Sequence, residues 1–89
     1  PDSKVKMLLE MKDEAEIMRL ASAVEGVYVP HDLRTRRIGT RCAIELHIYM
    51  DGGITLAESH DKATEVENLL RNHFGPDTHV AVHVEPLES

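Results

Sequence analysis

From Cys42 to Met50 every second residue is apolar. Cys42, Ile44, Leu46, Ile48 and Met50 share one face, and Ala43, Glu45, His47 and Tyr49 share the other. A period of two marks a strand with one side in a core. A second alternation lies near the C-terminus, with Val80, Val82 and Val84 inward and His79, Ala81, His83 and Glu85 outward, and Pro86 stops it. Between Val27 and Ile38 the residues are extended, β-branched and basic. Gly39-Thr40 supplies turn chemistry to join that segment to Arg41 as a hairpin.

Two helices complete the pattern. Asp13 and Glu16 read as a capping-box-like start, after which Ile17, Leu20, Ala21 and Val24 recur at i, i+3, i+4 and i+7 until Gly26. Thr55 and Glu58 form a second capping box. Leu56, Ala63, Val66 and Leu70 mark its buried stripe through to Phe74, and Gly75-Pro76 stops it. The order is α-β-β-α-β, which predicts an α+β fold with two helices on one face of a three-stranded sheet. Residues 1–12 are charged and mixed, with Met7, Leu8, Leu9 and Met11 as apolar anchors, and read as the end of a linker.

Composition narrows the function. An 89-residue chain makes one domain, and a domain this small gains stability from a partner or a metal. The net charge of −6 argues against a nucleic-acid partner, whose phosphates are held mainly by basic residues. No apolar run approaches the roughly 20 residues that span a bilayer. The single Cys42 excludes an internal disulfide and a Cys-rich zinc module, and on an apolar strand face it reads as a small buried hydrophobe. A chain that begins at Pro1 reads as a piece of something longer.

Six histidines stand out: His31, His47, His60, His73, His79 and His83. His83 and Glu85 share an outward strand face about 6.5 to 7 Å apart, so both can converge on one ion. A solvated polar face has the same spacing, and the pair alone does not choose. A two-residue turn at Gly39-Thr40 pairs Ile38 with Arg41, Arg34 with Glu45 and Leu33 with Leu46, matching charge with charge and apolar with apolar. It also makes His31 and His47 neighbours. Strict alternation would put these two on opposite faces, but Pro30 cannot donate to a ladder, and a bulge or strand end there would bring both rings to one ion. His60 falls near the buried stripe of the second helix. His73 and His79 flank the helix stop and face solvent. The run Arg34-Thr35-Arg36-Arg37 reads either as an anion site or as a solvated strand face.

The segment Gly-Val-Tyr-Val-Pro-His-Asp-Leu-Arg-Thr-Arg-Arg-Ile-Gly, from Gly26 to Gly39, resembles the hallmark of the cytoplasmic C-terminal domain of cation diffusion facilitator transporters. His47 in the second strand, Ala57 to His60 at the start of the second helix, and the terminal His83-Val84-Glu85-Pro86 continue the resemblance in order. It implies a metallochaperone-like (ferredoxin-like) αββαβ sandwich with no catalytic residues. Residues 13–86 would be the regulatory domain, 1–12 the linker from a transmembrane part absent from this chain, and 87–89 a tail. The implied partners are a second copy as a homodimer, that transmembrane part and divalent metal ions. The implied location is the cytoplasmic side of a membrane, the bacterial inner membrane or that of an organelle.

By the same resemblance one ion takes His31, His47 and Glu85, and a second takes His60 and His83 with Glu85 bridging. Glu85 stands where the family often has Asp. Imidazoles and a carboxylate suit zinc first, and also iron, manganese, cobalt, nickel, cadmium or copper as divalent ions. The sulfur-poor set argues against a Cu(I) site and separates the chain from copper metallochaperones. Two readings follow: a metal-sensing dimerisation domain that regulates efflux, or a purely structural dimerisation module. A small metal-dependent hydrolase would need a substrate cleft that three strands and two helices scarcely offer.

Overall fold

A computed structural model describes residues 11–87. The elements are α1 (Met11–Ser22), β1 (Tyr28–Ile38), β2 (Arg41–Asp51), α2 (Leu56–Phe74) and β3 (His79–Leu87). The predicted αββαβ order holds. The sheet order is β1-β2-β3, with β1 antiparallel to β2 and β3 parallel to β2. Two parallel neighbours need a crossover connection, and α2 provides it.

The central strand explains the stability of so small a unit. Ile44, Leu46, Ile48 and Met50 are all buried on its inner face. They pack with Ile17, Ala21 and Val24 of α1 and its end, Val66 and Leu70 of α2, and Val80 of β3. Leu46, Ile48, Ile17, Val66, Leu70 and Met50 are the largest side chains fully removed from water. Each such burial contributes about 1.5–3 kcal/mol. Among the described residues no helix lies on the outer face of the sheet.

Local sequence signals set most boundaries. Thr55 caps α2 with the reciprocal Glu58 contact of a capping box, and Gly75 ends it at φ 121. Gly26, at φ 87, turns the chain from α1 into β1, where Lys62 Nζ donates to the Glu25 carbonyl oxygen at 2.7 Å. Ile38 faces Arg41 across the Gly39-Thr40 turn, as the pattern requires.

Three expectations need correction. α1 is already helical at Met11, so Asp13 lies in its first turn rather than at its cap, and Glu16 instead accepts two hydrogen bonds from Arg19 at 2.7 Å. Leu56 is 86% exposed at the first position of α2; the residues of that helix that are buried are Val66 and Leu70. Val84 is exposed although Val80 is buried, because the core thins toward the end of β3. The expected linker over residues 1–12 lies largely outside the described residues.

Candidate metal centre

The outer face of the sheet is read in rows across the strands. Arg34 faces Glu45, which faces Ala81; His31 faces His47, which faces His83; Tyr28 faces Tyr49, which faces Glu85. The histidine row depends on two breaks in β1. Between Tyr28 and His31, and again between His31 and Arg34, three steps along β1 match two along β2. Each break is a one-residue bulge. Val29 and Asp32 take the extra backbone at φ 44 and φ 53, a left-handed region that strains a β-branched residue such as Val29. The expected break at Pro30 is therefore two breaks bracketing it, and Leu33 falls inside the second instead of pairing with Leu46. The face problem is solved as anticipated: one extra residue rotates His31 onto the side of His47.

Three ligand atoms converge there. Glu85 Oε2 lies 2.8 Å from His47 Nδ1 and 3.2 Å from His31 Nε2. His31, His47 and Glu85 each offer one atom within 4.8 Å of the others, and all three are half-buried. His31 Nδ1 donates to the Val29 carbonyl oxygen at 2.8 Å, and the His31 ring stacks on Tyr49 with centroids 4.7 Å apart. An imidazole fixed by one nitrogen on a backbone carbonyl presents the other for ligation, the arrangement usual around metal-bound histidine. The hydrogen bond from His47 holds the Glu85 carboxyl below its ordinary range against partial desolvation, and the charge of the His31 ring adds to the effect.

A second group sits one row away. Glu45, His47 and His83 also bring one ligand atom each within 4.8 Å. His83 Nε2 is 3.1 Å from Glu45 Oε2, and the His47 and His83 rings stack at 4.6 Å. His47 thus belongs to both groups. Two imidazoles and one carboxylate are a donor set that zinc accepts, leaving the fourth position of a tetrahedral ion open. Cys42 is buried on the opposite face, and burial pushes its thiol up.

The remaining histidines stand apart. His60 is exposed near the start of α2 and joins neither group among the described residues. The implied set of His60, His83 and Glu85 is therefore not assembled within one chain, and Glu45 and His47 meet His83 instead. His73 is exposed, with Nε2 3.6 Å from Glu16, and His79 is exposed. In the sequence Glu45 reads only as the partner of Arg34. The signal that finds it is the one that found Glu85, a carboxylate two residues from a histidine on the same strand face. Arg34 and Arg36 line a cleft of about 400 Å³ with Glu45 and His79, and neither forms an ion pair among the described residues.

A sheet backed by two helices, with imidazoles and carboxylates gathered on its other face, defines a small α+β domain whose donor groups could hold a cation. Residues 9–87 match the cytoplasmic domain of cation efflux proteins, and the chain belongs to that family. The cation-efflux pump FieF of Pectobacterium atrosepticum is 39% identical over 64 residues, covering 72% of this chain and 21% of the pump. The chain spans between 21% and 24% of the length of the first curated relatives it matches. Among solved structures, one of CzrB, described as a candidate zinc transporter, superposes with a TM-score of 0.78 at 32% identity, covering 90% of this chain and 99% of that one. The metal-bound C-terminal domain of the CzcD transporter from Thermotoga maritima gives a TM-score of 0.69 at 28% identity, covering 90% and 98%. No described helix is long and apolar enough to cross a membrane.

Proposed function

We propose that this domain senses divalent transition metal for a cation efflux transporter, zinc being the first choice, and acts as a homodimer. The observation that supports this most is the meeting of His31 Nε2, His47 Nδ1 and Glu85 Oε2 on an otherwise bare sheet face. The chemistry of two imidazoles and a carboxylate selects a divalent transition ion over a hard alkaline-earth ion. A metal-bound solved relative and a candidate zinc transporter of the same fold support the choice of ligand.

Regulation follows from mass action. A cation that binds one arrangement of two protomers better than another shifts the pair toward it, by no more than its difference in affinity. The energy would act on the transmembrane part to which such domains are joined. Calorimetric titration of zinc into the chain and into His31→Ala tests the reading. Binding that weakens in the variant supports it; a parent chain that takes up no zinc at micromolar concentration leaves a purely structural dimerisation module.

A further inference from the structure

The hairpin of β1 and β2 ends in the basic pole of an acidic chain. The segment from Arg34 to Arg41 holds four of the ten basic residues and none of the sixteen acidic ones. Arg34, Arg36, Arg37 and Arg41 are all exposed, and none forms an ion pair among the described residues. We infer that this hairpin tip is a contact for the anionic phospholipid headgroups of the membrane to which the transporter belongs. The inference rests on the transporter reading above and gives the tip a partner distinct from the metal.

The fold puts the tip at the end from which a membrane would be reached. α1 packs on β1, and the short connection from Ser22 to Tyr28 starts β1 where α1 ends. β1 therefore runs back along α1, and its far end returns to the first turn of that helix. Cys42 reports the same proximity: besides burial, the charges of Arg37 on the hairpin and of Asp13 in the first turn of α1 both act on its thiol. The CzcD structure that superposes on this chain is a C-terminal domain. On that plan the membrane part precedes Met11, at the end of the domain where the hairpin tip lies.

The tip is also shaped for a surface. β3 begins at His79, opposite Ala43, so the hairpin runs on past the third strand through Arg41 and the Gly39-Thr40 turn. Three strand steps carry it about 10 Å, close to one Debye length at physiological salt, so the acidic body behind it is largely screened from a charged plane that the tip touches. Ile38, 42% exposed at the tip between Arg37 and Arg41, offers an apolar side chain to the boundary between headgroups and acyl chains. Arg36 and His79 line both the 400 Å³ cleft and an adjoining depression of about 150 Å³ that takes in Arg41. Glu45 lines the cleft as well, but its Oε2 is engaged by His83 at 3.1 Å. A solvated strand face explains exposed arginines; it does not explain why a chain of net charge −6 gathers four of them on its projecting end. Basic residues beside a membrane gain from the negative potential of its anionic lipids.

Co-sedimentation of the chain with vesicles tests this, using phosphatidylcholine alone and phosphatidylcholine mixed with phosphatidylglycerol. EDTA is present throughout, so the result is independent of zinc uptake, and a failed zinc titration would remove the metal-sensing reading while leaving this one standing. The parent should bind the anionic vesicles at low salt, bind them less at high salt, and ignore the neutral ones. Each basic residue near such a surface is worth roughly fivefold in affinity, so the double variant Arg36→Gln/Arg37→Gln should lose about tenfold or more. The double variant Arg19→Gln/Lys62→Gln removes the same charge elsewhere, in the last turn of α1 and beside the Glu25 carbonyl oxygen, and should bind like the parent. Circular dichroism of both variants confirms that they fold. No binding to anionic vesicles at low salt, or equal binding to neutral ones, would overturn the inference. Equal losses in the two double variants would overturn it too, since net charge and not the tip would then govern binding. Inorganic phosphate that shifts the NMR signals of Arg36 and Arg37 while vesicles leave them unmoved would make the tip a soluble-anion site instead.

Discussion

His31 and Glu85 stand fifty-four residues apart in sequence and meet through Nε2 and Oε2 at 3.2 Å. The contact is informative because the other nitrogen of His31 is already engaged. A carbonyl oxygen can only accept, so the 2.8 Å contact to Val29 makes Nδ1 the protonated nitrogen. A neutral His31 then turns a bare nitrogen toward a carboxylate oxygen, two acceptors with no hydrogen between them. A proton or a metal cation placed there satisfies both atoms.

Glu85→Gln should weaken zinc binding by about tenfold or more, whereas His73→Ala and His79→Ala should leave it near the parent value. On the proposed reading Glu85 would supply the anionic ligand of the His31, His47 and Glu85 group, and the other two rings lie outside both groups. Calorimetric titration of the three variants beside the parent measures this. Parent-like binding by Glu85→Gln with loss in His79→Ala would move the site to the other end of β3.

Acid should remove the stabilisation that zinc confers. Ligation requires deprotonated donors, so protons compete with the cation. Thermal melting with and without zinc should give a clear rise in Tm near pH 7.5 and a much smaller one near pH 5.5, below the ordinary imidazole range. A rise of the same size at both would contradict histidine ligation. Without metal, Glu85 makes its own contribution. Its carboxyl is more acidic in the folded chain than the ordinary 4.5, first through the His47 hydrogen bond. The stability this brings is therefore present above the ordinary value and is lost as pH falls through the lowered one. Glu85→Gln should flatten the acid limb of the metal-free stability curve.

Leu46→Ala should cost about 2–5 kcal/mol of stability, since Leu46 is fully buried in the central strand. Leu56→Ala should stay within about 0.5 kcal/mol, because its side chain is exposed. Chemical denaturation checks both, and equal losses would contradict the placement of α2.

Gly26→Ala should destabilise by about 1–2 kcal/mol. The position has φ 87, which costs an L-residue about that much. A Cβ there would also come 2.8 Å from Lys62 Cε, at the flexible end of a side chain that can shift. The same denaturation experiment applies, and a stabilised variant would contradict the turn geometry.

The isolated domain should scatter light as a particle of about 20 kDa, twice the 10.0 kDa chain. Among the described residues its outer sheet face has no helix to cover Tyr28, Tyr49 and Ala81, and the family to which it belongs supports a second copy as the cover. A 10 kDa particle at high micromolar concentration, with and without zinc, would contradict this.

The fold was legible where periodicity is strong. The alternation around Leu46, the Thr55 capping box and the Ile38–Arg41 turn each follow from a local rule, and the structure keeps them. Leu56 misled because periodicity marks a helix face without showing which of its turns is covered. The parallel pairing of β3 with β2 was beyond reach, since two alternating strands carry no mark of their relative direction. The site was half legible. Pro30 signalled a broken ladder near His31, but two compensating bulges, at Val29 and Asp32, depend on the backbone of the whole hairpin. Glu45 was hidden by its good match to Arg34, because cross-strand charge pairing explains it before any metal is considered.

The central claim is that His31, His47 and Glu85 together hold a divalent cation. Anomalous diffraction from zinc-loaded crystals of the domain, recorded above and below the zinc edge, tests it most directly. The expected result is a strongest peak about 2.0–2.2 Å from His31 Nε2, a His47 ring nitrogen and a Glu85 carboxylate oxygen. A strongest peak at His60, His73 or His79, with His31, His47 and Glu85 unliganded, would contradict it.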